Sequence, residues 1–542
     1  MIPEAGTGPS RLTPDRLVLA LGLAGGLLLV FVTPPFHVPD EPAHFFRAYQ
    51  IATAATAEPG PGGGIGYRLP ASLPQAADLC TAGVAFNPVR HLPPGLLAAA
   101  WRLPLAPERR TFLAAGSLTP YTPVPYLAAA AAVAAGRLLA PRPLALLYLA
   151  RLGNLAAALA LSWLAVRIAP AQRWLLALLA LTPMAMFERS SASADALTNA
   201  LPLLLVGCLL SLVLRRAAEP AGRNLSSPPF GRGDPSEPGE GKISAPRPKG
   251  GDERSRPAGS AARSSALLVA TAFAIAAAKG VYFLLDLLVL LVPRAGCGEG
   301  RHARARAVAG LWAGGLAAAA AGAGISVWVT YRFATLGAPR AGVQPEAQLR
   351  GVLAAPLRFL GLAAADYAHH LPRYVAGFVG NFGWLDTPLP RPAVVLWGLL
   401  LLAAAATGGD PALALAAWQR RLAAAIAAAA LLLLSLSQYV TWTPLGAGFV
   451  DGLQGRYFLP LAPVAAILFY NRRFAARGMG SPVASAGGPV AATAPGEPGA
   501  PAAPAAPAAP ATPAVAAWLF GGSSAAFTLL TLLRIWFRYH GA

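Results

Sequence analysis

Charge is scarce in this chain. Asp, Glu, Lys and Arg make up 12% of its 542 residues, whereas soluble domains carry about a quarter. That deficit, beside 56% hydrophobic residues, excludes an ordinary soluble domain. Acidic residues are the scarcer sign, 23 against 43 basic, which leaves a formal net charge of +20. In a soluble protein such an excess points to nucleic acid. Here the basic residues sit in short segments between apolar runs, as the positive-inside rule places them, so no nucleic-acid partner is expected. Cysteine is almost absent. Cys80, Cys208 and Cys297 are far apart, which excludes a disulfide framework and metal-ligand spacing. A leader cleavage site is missing as well. Residues 17–33 are apolar and flanked by Arg11 and Arg16, so they read as an uncleaved first helix that starts inside. No internal inverted repeat is visible.

Long apolar runs are abundant, several near the roughly 20 residues that cross a bilayer. The expectation is an all-α polytopic membrane protein of about 11 transmembrane helices (range about 9–13), with two large extracytoplasmic loops, 34–142 and 331–391. After the first helix the runs fall at 144–166, 174–187, 197–214, 308–330, 393–408, 422–440, 457–471 and 515–533. The short, Ala-rich stretch 126–140 reads as an interfacial helix on the outer surface. Segment 264–292 has basic residues on both flanks. It predicts a broken hairpin that turns near Lys279-Gly280, because interrupted helices are tolerated where they line a cavity, or alternatively a single span with one of the other crossings lost. Residues 215–263 hold ten Lys/Arg and six Asp/Glu amid Pro, Gly and Ser, the composition of a disordered cytoplasmic linker. Residues 480–513 are an Ala/Pro-rich linker.

One stretch stands out against this background: "FHVPDEPAHFFRAYQ", residues 36–50. It sets Asp40, Glu41, His44 and Arg47 beside the end of the first helix. "PDEPAHFF" also reads as a helix start, with Pro early and acids facing the helix dipole, so Asp40 and Glu41 have a capping reading beside a chemical one. The predicted topology puts the other uncommon polar motifs on the same outer face. These are Asp195, Lys279, the segment from Arg373 to Asp386, and Gln454-Gly455-Arg456-Tyr457. An outward carboxylate facing cationic groups suits a reaction on an amphiphilic anion. The carboxylate removes a proton from an acceptor hydroxyl. Arg or Lys holds the phosphate of a lipid carrier. Lys279 carries the functional reading most strongly, since a charge within an apolar run is costly. The His369-His370 pair reads as interfacial rather than metal-binding.

Five blocks, in order, carry a family resemblance: "PPFHVPDEPAHFFRAYQIA", "LTPMAMFERSSASADALTNAL", "AKGVYFLLDLLVLLVP", "NFGWLD" and "GLQGRYFLPLAP". Together they resemble domain-of-unknown-function family 2142 of bacterial membrane proteins, over most of residues 15–471. That family is grouped with the C-type integral-membrane glycosyltransferases, which use polyprenyl-linked sugars and invert the anomeric centre. The resemblance implies that Asp40, or its neighbour Glu41, stands at the catalytic-base position, and that Asp195 matches the acid of the second external loop. "YTPVPYLAAA" and "RHLPPG" are only partial versions of the "HPPLYY"-like block such proteins often carry.

The resulting expectation is a bacterial plasma-membrane enzyme with an outward site. It transfers a sugar from a polyprenyl-phosphate donor to an envelope glycan, lipid or protein. Asp40 is the base and Glu41 its helper. His44, Arg47, Asp195, Lys279, Arg373, Asp386, Gln454, Arg456 and Tyr457 are substrate-binding candidates. A monophosphate donor works with Arg and Lys alone. A diphosphate donor favours a divalent cation, Mg or Mn, on Asp40, Glu41 and Asp195. The rivals are a flippase for a lipid-linked glycan and a non-catalytic envelope-assembly protein.

Overall fold

A computed structural model describes residues 12–60, 65–114, 121–139, 142–218, 256–294, 301–334, 341–410, 413–471 and 512–541. Most of the predicted linker 215–263, nearly all of 480–513 and Cys297 lie outside them.

Helix α1 (Pro14–Val32) leads through Phe36–Asp40 into α2 (Glu41–Ala52). Then come β1 (Glu58–Pro59), β2 (Ile65–Pro70), α3 (Ser72–Thr81), α4 (Pro94–Arg102), β3 (Arg110–Ala114) and α5 (Leu127–Leu139). The strands form a small antiparallel sheet in the order β1-β2-β3, with Tyr67 opposite Leu113. Tyr67 and Leu69 are buried and Arg68 between them is exposed, the period-2 alternation of a strand with one covered face. The predicted external loop is thus a folded layer. Phe36, Phe45, Tyr49, Leu69, Leu73 and Tyr126 form its own core.

Helix α6 (Pro143–Ile168) returns beside α1. Arg151, near its start, reaches the carbonyls of Val30 and Thr33 at the end of α1. Arg173, just past its end, pairs with Asp15 at the beginning of α1 at 2.5 Å. The two helices are therefore antiparallel, and Asp40 and Asp15 mark opposite faces. Helix α5 packs on the first part of α6, where a Cβ at Gly153 would come 2.8 Å from Ala132. It stays on the Asp40 side.

The run predicted to span at 174–187 is two short helices, α7 (Arg173–Ala180) and α8 (Pro183–Arg189). Proline explains the break. Pro183 has no N–H to donate, and the residue before it, Thr182, is pushed to extended backbone at φ −53°, ψ 130°. Together they climb from the Asp15 level to that of Glu41, where α9 (Asp195–Ala218) begins its descent. A Cβ at Gly207 would come 2.6 Å from the Ala165 carbonyl oxygen, so glycine permits the close α6–α9 crossing.

Helix α10 (Arg256–Ala278) climbs to Lys279, which is extended at φ −143°, ψ 109°. Residues Gly280–Leu291 then return as a 12-residue 3-10 helix. At about 2 Å rise per residue it covers most of a bilayer core about 30 Å thick. Runs of that length are uncommon. The predicted hairpin turn at Lys279-Gly280 is where the chain reverses.

There follow α11 (Arg301–Ala334), α12 (Pro345–Ala354), α13 (Pro356–Val379), a two-stranded hairpin of β4 (Asn381–Phe382) and β5 (Thr387–Pro388), α14 (Arg391–Thr407) and α15 (Ala417–Thr441). The run predicted to span at 457–471 is not one helix. It consists of 3-10 turns at Gly455–Phe458 and Ala462–Val464 and one helical turn at Ala465–Leu468. The C-terminal helix, Thr512–His540, runs parallel to α1, since His540 meets the Val32 carbonyl oxygen at 3.1 Å. The protein is mostly helical. Among the described residues six helices are long and apolar enough to cross a membrane: α1, α6, α9, α11, α15 and the C-terminal helix.

Candidate functional site

Three local breaks in helix bring the site together. The first is the turn before α2. Asp40 occupies the N-cap position in the left-handed region, φ 62°, and its side chain makes no capping bond. Asp tolerates that conformation better than most residues. The carboxylate stays 57% exposed and accepts a hydrogen bond from Arg456 Nη2 at 2.9 Å.

The second is the 3-10 turn carrying Arg456. Gly455 lies so close to α13 that a Cβ there would collide with the Tyr374 carbonyl oxygen. This approach fixes the backbone beside the guanidinium. Arg456 donates from Nε to Gln454 Oε1 at 2.7 Å. Its Nη1 lies 3.3 Å from Glu188 Oε1 and 3.6 Å from Asp195 Oδ2.

The third is the reversal at Lys279, whose ammonium pairs with Asp195 Oδ1. Lys279 also lies over the rings of Tyr121, at 5.2 Å, and Tyr457, at 5.6 Å. Such cation–π placement holds a desolvated cation without neutralising it. Tyr282 of the 3-10 helix donates to the Tyr457 carbonyl at 3.0 Å. The outcome is a chain of alternating charge, Lys279–Asp195–Arg456–Asp40, with Glu188 on its buried side.

Asp40, Asp195, Lys279, Gln454, Arg456 and Tyr457 therefore meet. His44 and Arg47 stand behind them. His44 Nδ1 shares a hydrogen bond with the Tyr126 hydroxyl at 2.9 Å. Arg47 donates to the Tyr67 hydroxyl at 2.6 Å and the Tyr121 carbonyl at 3.1 Å, so it positions the tyrosine over Lys279. Glu41 is turned away. Both its oxygens are taken by Arg151, Nε–Oε1 at 2.8 Å and Nη2–Oε2 at 2.6 Å, and Ala192 N–H donates to Oε1 at 3.1 Å. Asp386 pairs with Arg538 of the C-terminal helix at 2.9 Å. Arg373 is exposed on α13 and lies by the Tyr374 ring, 5.6 Å to its centre. Among the described residues no contact brings Arg373 or Asp386 to the cluster. His370 bonds Asp366 at 3.0 Å.

Glu188, Arg151, Tyr121 and Tyr282 complete the arrangement without having been singled out in the sequence. Glu188 and Arg189 carried a signal, since two charges close an apolar run. Arg151 carried the same one inside its run.

A divalent cation does not fit these acids as they stand. Glu41 is consumed by Arg151, and Asp195 and Asp40 already hold Lys279 and Arg456. Among the described residues there is no group of three or more His, Cys, Asp or Glu arranged to hold a metal.

Burial pulls the imidazoles of His37 and His44 down to about 4, and both rings are neutral at pH 7. In the unfolded chain a histidine takes a proton near 6.5. The unfolded state therefore binds more protons between pH 6.5 and 4, and stability falls as the pH drops through that window. At pH 5 each ring is expected to cost about 2 kcal/mol. Thermal unfolding across pH 5–8 should show this loss, and His44→Gln should flatten the slope by about half. An unchanged slope in that variant would refute the assignment to His44.

No curated protein and no solved structure matches the chain. A family model described as "Predicted membrane protein (DUF2142)" matches residues 23–225 and 252–465. The matched segments include every residue of the charge chain and leave out the C-terminal helix. With well over half of its length matched, the chain belongs to the DUF2142 family of predicted membrane proteins, and it is a membrane-embedded protein.

Proposed function

We propose that the protein is a membrane glycosyltransferase that moves a sugar from a polyprenyl monophosphate to an acceptor hydroxyl at the face carrying Asp40. One observation carries this reading: an exposed carboxylate is held by a buried arginine that belongs, with Lys279, to a single polar cluster. Asp195 and Glu188 hold the two cations in place before a substrate arrives. A phosphate entering beside them replaces one set of anionic oxygens with another, so little reorganisation is needed. The acceptor oxygen attacks the anomeric carbon and its proton passes to Asp40. The bond from that carbon to the phosphate oxygen breaks, and the oxygen leaves with the electron pair and with Arg456 and Lys279 beside it. Glu41 acts by holding the turn that presents Asp40. Because the candidate metal ligands are already paired with Arg and Lys, a monophosphate donor suits the site and a metal-bridged diphosphate does not.

The topology belongs to the same proposal. Besides the six long helices, the α7–α8 pair, α10, the 3-10 helix 280–291, α14 and residues 455–470 each join the two faces, which makes eleven passes. The basic segments at 215–218 and 420–421 then lie in the cytoplasm of a bacterial cell, and Asp40 faces outward. The C-type architecture enters on the order of the sequence motifs alone. The envelope acceptor is a glycan, lipid or protein.

The test gives vesicles containing the purified chain a polyprenyl-monophosphate sugar labelled in the sugar, together with envelope extract. Label should leave the lipid and appear in the extract at the same rate with and without a chelator of divalent cations. Movement of intact lipid-linked sugar across the bilayer would instead establish the flippase. Transfer only from a diphosphate donor, and only with metal, would overturn the monophosphate reading.

A further inference from the structure

Helix α13 keeps to the Asp40 side of the protein along its whole length. Near its start Phe359 packs on Tyr439, in the last turn of α15, with 5.5 Å between ring centres. At its middle Asp366 accepts from the N–H of Val450, in the segment that joins α15 to Arg456, at 3.4 Å. Near its end a Cβ at Gly377 would come 3.2 Å from the backbone of Gly455. Its 24 residues make a rod of about 36 Å, which therefore runs along that side and does not cross the protein.

The helix has three faces. Phe359, Ala363, Asp366 and Tyr374 are buried. Leu357, Leu360, Leu371 and Val375 are exposed, and at about 100° per residue they share an arc about 60° wide. Arg358, His369 and Arg373 are exposed as well and share a second arc of about 60°. Only small residues such as Gly361, Ala365 and Ala368 lie between the two arcs. The acid of α13, Asp366, is turned inward, where it accepts from the Tyr374 hydroxyl at 2.6 Å and from His370 Nδ1 at 3.0 Å. The basic arc thus has no counter-charge on its own helix, and neither Arg358 nor Arg373 has an acidic partner among the described residues.

We propose that α13 lies in the bilayer interface and docks a row of anionic phospholipid headgroups along Arg358, His369 and Arg373. A helix facing only water has no use for an exposed apolar arc. A helix facing only hydrocarbon does not carry exposed arginines. One that bears both side by side suits the boundary between acyl chains and headgroups. Guanidinium groups pair with phosphate oxygens through charge-assisted hydrogen bonds. The basic arc is about 22 Å long, more than one phosphate can occupy, so a row of headgroups matches it and a single soluble phosphate does not. The arc is separate from the Asp40–Arg456–Lys279 cluster, and the inference stands whether or not the chain transfers sugars.

The test places the full-length chain in vesicles of phosphatidylcholine with a minor share of phosphatidylglycerol. A trace of either lipid carries a photoactivatable group on its head, and labelled peptides are mapped by mass spectrometry. Labelling of residues 357–375 should be several-fold stronger from phosphatidylglycerol than from phosphatidylcholine. The preference should weaken at high salt and persist in the presence of inorganic phosphate. Arg358→Gln combined with Arg373→Gln should remove it while the thermal midpoint stays put, as for a surface change. Equal labelling by the two lipids would mean that α13 touches lipid without reading its charge. No labelling would mean that water or another protein covers the face. Competition by inorganic phosphate would make the arc a site for a soluble anion. Each of these results, or an undiminished preference in the double variant, overturns the proposal.

Discussion

Arg151→Met should leave little folded protein in the membrane. The expected loss is about 3–5 kcal/mol, the usual penalty for removing one partner of a buried ion pair. Whole domains are stable by only about 5–15 kcal/mol. Arg151 and Glu41 are both fully buried and bonded through two parallel contacts. The guanidinium also serves the carbonyls of Val30, Thr33 and Pro34 at 2.7–2.9 Å. The methionine variant therefore strands a buried carboxylate and three carbonyl oxygens at once. Pulling out both charges together is gentler, since an apolar replacement for a buried pair is often close to neutral. Glu41→Leu combined with Arg151→Met should accordingly recover part of what the single change loses, the three carbonyls accounting for the rest. The measurement is the thermal midpoint and the monodisperse yield of detergent-extracted protein. A single variant with the wild-type midpoint would show that the pair is not holding the α1–α2 turn. A double variant worse than the single would show that carbonyl satisfaction, rather than charge pairing, is the main term.

That pairing also marks what could be read in the sequence. Scarce charge in an apolar chain is conspicuous, so Asp40, Asp195, Lys279 and Arg456 drew notice one by one, and a charge-based topology placed them on one face. Partner choice was not legible. Glu41 looked like a twin of Asp40, yet one residue's difference along the chain, with Asp40 in a left-handed turn, sends the two carboxylates opposite ways. Glu41 meets an arginine 110 positions away. Hydropathy found the six long apolar helices because it senses apolar composition. It could not distinguish α9 from residues 455–470, which form 3-10 turns and one short helical turn, because apolar composition leaves packing to decide how backbone groups are satisfied. The folded layer after α1 was the largest miss. Residues 34–142 carry the weak signals of short strands and a small core, and length alone made them look like a loop.

Asp40→Asn tests the chemistry with the fold held constant, and its expected effect is the largest of all. Sugar transfer should fall by about 10²–10⁴-fold, the usual contribution of a positioned general base. Stability should stay within about 0.5 kcal/mol of wild type, as for a surface change. Two features make the separation clean. The side chain is 57% exposed and makes no capping bond, so no buried group depends on its charge except Arg456. Asparagine also favours the left-handed backbone at φ 62°, and its amide oxygen can still accept from Arg456. Geometry survives and basicity does not. The measurement pairs release of labelled sugar from the lipid donor with envelope glycans from cells holding equal amounts of either protein, judged against a deletion strain. A variant that loses the sugar while unfolding like wild type leaves proton removal as the function of Asp40. A variant that restores the full glycan to the deletion strain makes Asp40 an anchor for Arg456 and moves the search for the base to Asp195 and Glu188.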